Sequence, residues 1–276
     1  MSEVIRVSHG LWRPSDSVAD LVGRCAALLN VLPSRTVVAG LAAARLHGLW
    51  LPRGDERVID VITPGNPRRP RDIGHSRRAE LRARRRALRD DEVDLVMGVP
   101  VTTAARTWCD LAELLSPADL VAAGDCALRG LATIAQLETS VANSTYRRGV
   151  RRARTALPLL DERSMSRPES HLRYALVAAG LPYPEVNTPV YVDGEWVGVP
   201  DLHYAGARLA LEYQGEDHAE LKRMRGDITR ELDFDWRGWK VLAFGPREVF
   251  GRPDQAVSLV RRYLQQRDPG CLSPGT

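Results

Sequence analysis

Hydrophobic positions three and four residues apart recur along the first half of this 276-residue chain and predict helices. The segments with this spacing are 17–30, 39–48, 104–115, 118–128 and 133–141. Two runs rich in β-branched residues, 57–63 and 99–103, predict strands between the helices. The first half is therefore predicted to be a mixed α+β domain.

The second half shows a different order of elements: helix, three strands, helix, strand, helix. Ser166 begins the first helix, and Asp193 with Gly194 predicts a type I′ turn between strands. Polar stretches at 143–155 and 161–168 separate the halves, so we predict domains at 1–155 and 160–276. The predicted elements of the second half are 166–179, 190–192, 196–199, 201–204, 208–214, 218–235, 239–244 and 253–266. The fold class expected for the whole chain is α/β, more closely α+β.

Composition places the chain among soluble proteins, since 44% of residues are hydrophobic and 27% are charged. No apolar run approaches the roughly 18 residues of a membrane span, and no secretion signal is visible. We therefore expect a cytoplasmic protein with no membrane partner. The four cysteines lack CxxC spacing, which argues against a zinc site.

Arginine supplies nearly all of the positive charge, and the net charge is +4. Between Arg68 and Arg89, ten arginines face Asp72 and Glu80, and a second run spans 147–154. Such clusters attract polyanions, so DNA is the predicted partner, although a solvated surface or a linker has the same composition. The candidate nucleic-acid contacts are Arg68, Arg69, Arg84, Arg85, Arg86, Arg147, Arg148, Arg151 and Arg152.

Three acidic residues of the second half are candidate metal ligands. Asp201 and Glu212 lie on consecutive predicted strands joined by a short turn, so they should be neighbours at a strand end. Converging carboxylates repel unless a cation joins them, and hard oxygen ligands favour Mg²⁺ or Mn²⁺. Glu169 shares a helix face with Leu172 and either joins this site or serves as a capping residue alone.

The strings PDLHY, LALEYQGEDHAE, GDITREL and GWKVLAF carry a family resemblance over about residues 166–265. They resemble the small endonuclease-like domains related to very-short-patch-repair nucleases, the DUF559 group. The resemblance implies a PD-(D/E)XK core, a restriction-endonuclease-like mixed sheet flanked by helices. It also assigns roles by position: Asp201, Glu212 and Glu169 as metal ligands, Gln214 in the third motif position, His218 as general acid or base, and Asp227 and Arg230 on a supporting helix.

Position 214 departs from the family pattern, since many members of the superfamily carry Lys there and the DUF559 group often has Asp. Gln214 carries no charge, so it can only orient water or coordinate through its carbonyl oxygen. Two functions are therefore compared. The first is a metal-dependent endonuclease that hydrolyses DNA, favoured by Asp201, Glu212 and His218. The alternative, favoured by Gln214, is a non-catalytic DNA-binding regulator or antitoxin-like protein with a decayed nuclease fold.

The first half carries a second resemblance, on the strings SHGLWRP, VVAGLAAARLHGLWLP, GVPVTTAARTWCDLA and GDCALRG. These resemble the antitoxin component of AbiE-type toxin–antitoxin systems, the AbiEi family. A winged helix that binds operator DNA usually precedes the matching segment in that family. We expect it to be incomplete here, so that this half positions DNA or regulates by another route.

Overall fold

The computed structural model describes residues 4–8, 11–14, 21–54, 57–63, 80–144, 147–215 and 234–272. The chain forms two compact units, Met1–Ser116 with Gly130–Leu157, and Pro117–Arg129 with Pro158–Thr276. Both units combine helices with β-sheet, so the predicted α+β class is confirmed. Within the described ranges, every helix is too short or too polar to cross a membrane.

The first unit is built on a five-stranded mixed sheet. Its strands are β1 (Val4–Ser8), β2 (Leu11–Pro14), β3 (Val37–Val38), β4 (Ile59–Thr63), β5 (Leu81–Arg85), β6 (Val93–Val96) and β7 (Val99–Thr102). The first two form a separate antiparallel ribbon, and the others make the sheet in the order β5-β4-β3-β7-β6. The helices of this unit are α1 (Leu21–Leu29), α2 (Gly40–Leu46), α3 (Ala104–Leu111), α5 (Ile134–Ala142) and α6 (Val150–Ala156). Helix α4 (Pro117–Leu128) lies between α3 and α5 in the sequence but belongs to the second unit.

Small side chains allow the helices of the first unit to approach the sheet closely. Ala42 and Ala43 of α2 are fully buried and pack with Val38, Val61 and Val101 of the central strands. Burying apolar surface of this kind stabilises the fold by about 25 cal/mol per Å². The alanines of this helix therefore also set its distance from the sheet.

The second unit surrounds a four-stranded sheet. Its elements after α4 are α7 (Arg167–Ala178), β8 (Glu185–Val186), β9 (Val190–Val192), β10 (Glu195–Gly198), β11 (Leu202–Tyr204), β12 (Leu209–Tyr213), β13 (Lys240–Phe244), a π-helical turn (Arg247–Gly251) and α8 (Pro253–Arg267). The sheet order is β13-β12-β11-β8, with β12 and β13 parallel and the other pairs antiparallel. Strands β9 and β10 form a separate hairpin.

Strand β12 is buried on both faces along most of its length. Leu209 and Leu211 pack with Leu172 and Leu176 of α7, whereas Ala210 belongs to a second cluster with Trp239. Burial decreases at the carboxyl end, where Glu212 and Tyr213 are half-buried. Polar chemistry on this strand is therefore confined to its last residues.

Most predicted elements are present within one to four residues of their expected bounds, including the hairpin turn. Asp193 and Gly194 have φ of 53° and 81°, the positive values that a type I′ turn requires. The prediction missed seven elements: β1, β2, β3, β5, β6, β8 and α6. Of these, β5, β6 and α6 lie in charged or polar stretches. The helix predicted for 218–235 falls outside the described residues, apart from its last two positions.

Candidate functional site

Asp201 and Glu212 are neighbours across two strands, as the pattern predicted. Leu202 pairs with Leu211 in the antiparallel register, so continuing it by one residue places Asp201 opposite Glu212. Asp201 Oδ2 accepts a hydrogen bond of 2.8 Å from the backbone N–H of Tyr213. This bond joins the residue just before the start of β11 to the end of β12 and fixes the Asp201 carboxylate beside β12.

The Glu169 carboxylate is used for local hydrogen bonds at the start of α7, not for the predicted three-acid metal site. Its carboxylate accepts hydrogen bonds from Met165 N at 2.9 Å, Ser166 Oγ at 2.7 Å and Asn187 Nδ2 at 2.8 Å. These donors satisfy the hydrogen-bonding capacity of a carboxylate that is only 6% exposed at the start of α7. In the described structure Glu169 is a capping residue that ties α7 to the loop before β9.

Among the described residues, no three His, Cys, Asp or Glu side chains lie close enough together to hold a metal ion. Within this part of the chain Glu169 therefore does not join Asp201 and Glu212 in a three-acid site, and cation binding by the remaining pair stays a prediction. Gln214 follows β12 and is exposed, and its backbone N–H donates to Phe244 O at 2.9 Å.

Of the histidines in this part of the sequence, His203 lies in the described residues. His203 is 3% exposed, with its ring 5.7 Å from that of Trp239 and Nε2 3.4 Å from Glu185 Oε2. Burial lowers the pKa of His203, against the influence of Glu185, so the ring is a neutral packing group. His218, and with it Asp227 and Arg230, lies outside the described residues.

Within the described part of the first run, residues 80–89, most arginines pair with carboxylates rather than being presented to a partner. Arg84 and Arg86 lie on and just after β5 and both bind Glu113, at 2.8 and 3.1 Å. Burial alone would raise the pKa of Glu113, but Arg84 and Arg86 hold it below its ordinary value. Arg85 also has a partner, and Arg68 and Arg69 lie outside the described residues.

Arg147 belongs to a buried ion-pair network centred on α3. Thr103 caps the helix, and Arg106 forms an ion pair with Asp110, four residues on, at 2.9 Å. Arg106 also approaches Glu92 at 2.8 Å, and Arg147 lies 3.5 Å from the same carboxylate. Burial opposes ionisation of Glu92, yet the Arg89 N–H and these guanidinium groups keep its pKa low. Arg147 was predicted to contact phosphate, but in the structure it is part of this ion-pair network.

Helix α6 presents the remaining arginines to solvent. Its inner face carries Val150, Ala153 and Ala156, spaced by three residues and all buried. The opposite side exposes basic side chains, which together with the residue before the helix form a surface that we call the α6 basic surface: Arg148, Arg151, Arg152 and Arg154. Arg148 is 88% exposed and lies 4.0 Å from Glu113. Sequence analysis did not select Arg154, although its place in the same run signals it.

Residues 37–161 match the model of a protein family described as the AbiEi antitoxin C-terminal domain. Two similar proteins, both named as uncharacterised, come from Mycobacterium tuberculosis strains CDC 1551 / Oshkosh and ATCC 25618 / H37Rv. Each is 29% identical over 265 residues, covering 95% of this chain and 93% of the relative. No solved structure matches the chain. The family match confirms the AbiEi resemblance of the first half and ends before the segment 166–265 on which the nuclease resemblance rests.

Proposed function

We propose that this protein is a non-catalytic, antitoxin-like regulator that binds DNA through the α6 basic surface. The observation that carries the proposal is the exposure of arginines on one side of a helix that lies within the AbiEi-matching residues. Exposed guanidinium groups bind phosphates and release counterions from the DNA backbone. Arg84 and Arg86, by contrast, already pair with the carboxylates of Glu113 and Asp110.

The experiment measures DNA affinity against salt concentration for the wild type and two matched variants. One replaces Arg148, Arg151 and Arg154 by Gln, and the control replaces three exposed arginines of the second unit, Arg247, Arg252 and Arg262. Both variants lose the same charge, so they separate a local contact from a general effect of net charge. Each lost phosphate contact lowers the slope of log affinity against log salt by about 0.9.

We expect the first variant to lower the magnitude of that slope by about 2 to 3 and the control to leave it nearly unchanged. Equal effects from the two variants would show that net charge, and not the α6 basic surface, drives binding. Wild-type affinity that does not change with salt would remove DNA binding by phosphate contacts altogether.

A second candidate, a metal-dependent endonuclease, is favoured by one observation: the position of Asp201 opposite Glu212 at the end of β12. Two carboxylates are hard ligands that suit Mg²⁺ or Mn²⁺. Such a cation polarises a phosphodiester and lowers the pKa of bound water. Within this arrangement Gln214 follows the strand and can orient water, but it cannot accept a proton as a charged base.

Calorimetry with Mn²⁺, and a cleavage assay on duplex, mismatched and single-stranded DNA, test this candidate. We expect Mn²⁺ binding to the wild type and its loss in Glu212→Gln, with Glu195→Gln as an exposed control on the neighbouring hairpin. Binding without cleavage would support the decayed nuclease fold. Cleavage that depends on Glu212 would establish the enzyme in place of the non-catalytic regulator.

A further inference from the structure

Strand β6 lies at one edge of the five-stranded sheet, and β7 is its only strand partner among the described residues. Thr103 N donates to Glu92 O at 3.0 Å, so the backbone groups of Glu92 and of every second residue after it face β7. The N–H and C=O groups of Val93 and Leu95 therefore point away from the sheet. Such a row of outward backbone groups is a template on which another extended chain can pair.

A carboxylate of the same strand covers one of these outward groups. Asp94 Oδ1 accepts a hydrogen bond of 2.7 Å from Leu95 N. Asp94 is exposed and has no ion pair with any described residue, whereas its neighbour Asp91 pairs with Arg89 at 2.8 Å. An incoming strand that takes over the Leu95 N–H would therefore leave the Asp94 carboxylate to a basic side chain.

A cavity lies on each face of β6. Asp94 lines a cavity of about 420 Å³ whose apolar wall includes Ala104, Leu131 and Ala135. Val93 lines a second cavity, of about 390 Å³, on the opposite face, because successive residues of a strand point to opposite sides of the sheet. Both volumes lie within the range of ligand sites, roughly 300–1,000 Å³.

The two cavities suit different side chains. Close to the strand, the second cavity is lined by aliphatic groups: Val37, Leu88, Val93 and Pro100. Its charged residues, Arg35 and Asp90, already pair with each other at 3.0 Å, so it favours an aliphatic side chain. The first cavity suits an arginine or lysine, because the methylene stem packs on the apolar wall while the cation reaches Asp94.

We propose that the open edge of β6 binds an extended segment of a partner protein, in which basic and aliphatic side chains alternate, as an added strand. The segment's backbone pairs with Val93 and Leu95, a basic side chain enters the first cavity beside Asp94, and an aliphatic one enters the second. Backbone pairing gives this mode of binding its affinity, and pockets for alternate side chains give it specificity. These residues differ from those of the α6 basic surface, so the proposal does not depend on DNA binding.

The test is a calorimetric and NMR titration of the full chain with blocked peptides of about six residues, the usual length of a strand. One peptide alternates valine and arginine, and another alternates valine and glutamate. A third is the valine–arginine peptide methylated at every backbone nitrogen, which keeps its charge but cannot donate backbone hydrogen bonds. The net charge of +4 on the protein opposes unspecific attraction of the basic peptides.

We expect the valine–arginine peptide to bind at least about tenfold more tightly than the other two. The glutamate peptide places an anion beside Asp94, and the methylated peptide cannot pair with the strand edge. The bound peptide should also slow hydrogen exchange at the Val93 and Leu95 amides, which point outward in the free protein.

Three variants locate the binding. Leu95→Pro removes an outward N–H without removing a bond to β7, and it should abolish peptide binding. Asp94→Asn should weaken the valine–arginine peptide by about threefold, the value of one exposed charge pair. Glu138→Gln is its matched control, because Glu138 is an exposed acid of the same unit that lines neither cavity, and it should have no effect.

The proposal is overturned if the valine–arginine peptide fails to bind, or if the glutamate or methylated peptide binds equally well. Equal effects of Asp94→Asn and Glu138→Gln, or wild-type binding by Leu95→Pro, would also overturn it. If Leu95→Pro does not fold, the methylated peptide makes the same test of backbone pairing. Protection of Val93 and Leu95 that rises with protein concentration in the absence of peptide would assign the edge to a second copy of this chain instead.

Discussion

Replacing Arg106 by Met tests whether the network around α3 holds the first unit together. The guanidinium is 1% exposed and lies between two carboxylates, Glu92 and Asp110, which are 6% and 8% exposed. Removing one partner of a buried ion pair costs about 3–5 kcal/mol, because the other charge stays buried without compensation. Arg147 lies 3.5 Å from Glu92 and supplies part of the lost field, so we expect the lower end, about 3 kcal/mol.

The matched control is Arg35→Met in the same unit. Arg35 pairs with Asp90 at 3.0 Å, but its side chain is 73% exposed and that of Asp90 is 96% exposed. Exposed pairs of this kind contribute about 0–1 kcal/mol because water screens the charges. The Arg35–Asp90 and Arg106–Asp110 pairs have similar distances but opposite burial, so comparing the two variants isolates the effect of burial.

Hydrogen exchange of the α3 backbone amides measures the local free energy of opening for each variant. We expect a reduction of about 3 kcal/mol for Arg106→Met and less than about 1 kcal/mol for Arg35→Met. The double variant Arg106→Met with Glu92→Gln should recover part of the loss, since it removes one stranded charge. Equal effects of the two single variants, or a further loss in the double variant, would refute the reasoning.

The same network has a defined pH dependence. Burial works against ionised Glu92, but the Arg89 N–H, Arg106 and Arg147 lower its folded-state pKa below the ordinary value. A carboxyl of this kind stabilises the fold above its unfolded pKa, about 4.3, and the contribution is lost as pH falls through the folded pKa. In Arg106→Met that loss should begin at higher pH, which amide exchange between about pH 7 and pH 4 would detect.

Two further substitutions test the close packing of each unit. Gly149→Ala should strongly destabilise the first unit in thermal unfolding, because φ is 83° and the added Cβ would lie 2.5 Å from the backbone of Ala112. Gly130→Ala is the control: φ is 106°, no atom lies within 4 Å of the added Cβ, and the cost should be about 1 kcal/mol. Asp125→Ala should cost several kcal/mol by urea unfolding, because the Asp125 carboxylate pairs with Arg173, which is 1% exposed. A matching cost for both glycine variants, or a cost below about 1 kcal/mol for Asp125→Ala, would contradict these expectations.

Local patterns were sufficient for the second unit because each signal lies within a few residues. The Asp193–Gly194 turn, the Ser166 cap and the alternation around Glu212 all depend on neighbours in sequence. The pairing of Asp201 with Glu212 followed from them, since a short turn between two strands determines the antiparallel register. Glu169 was assigned to the metal site because the sequence does not show that Asn187, 18 residues further along, donates a hydrogen bond to its carboxylate.

At β5 the sequence does not show which arginines pair with carboxylates, and the physical reason is different. Strand β5 pairs in parallel with β4, and its arginines are tolerated there because Asp60 and Glu113 accept them from distant parts of the chain. A one-dimensional run of arginines has the same composition whether it is exposed or neutralised. Burial of Val150, Ala153 and Ala156 is what distinguishes α6, since that helix phase leaves its arginines to solvent.

This distinction gives opposite expectations for equal losses of charge. Arg84→Gln with Arg86→Gln removes the partners of Glu113 and one partner of Asp110, so it should lower the stability of the first unit by about 1–3 kcal/mol. Its DNA affinity and salt slope should stay near the wild-type values, because these guanidinium groups already bind carboxylates. Arg148→Gln with Arg151→Gln should do the reverse, weakening DNA binding at unchanged thermal stability. If the β5 variant loses DNA affinity while still folded, the first run does contact phosphates, and exposure is the wrong criterion for assigning arginines to the interface.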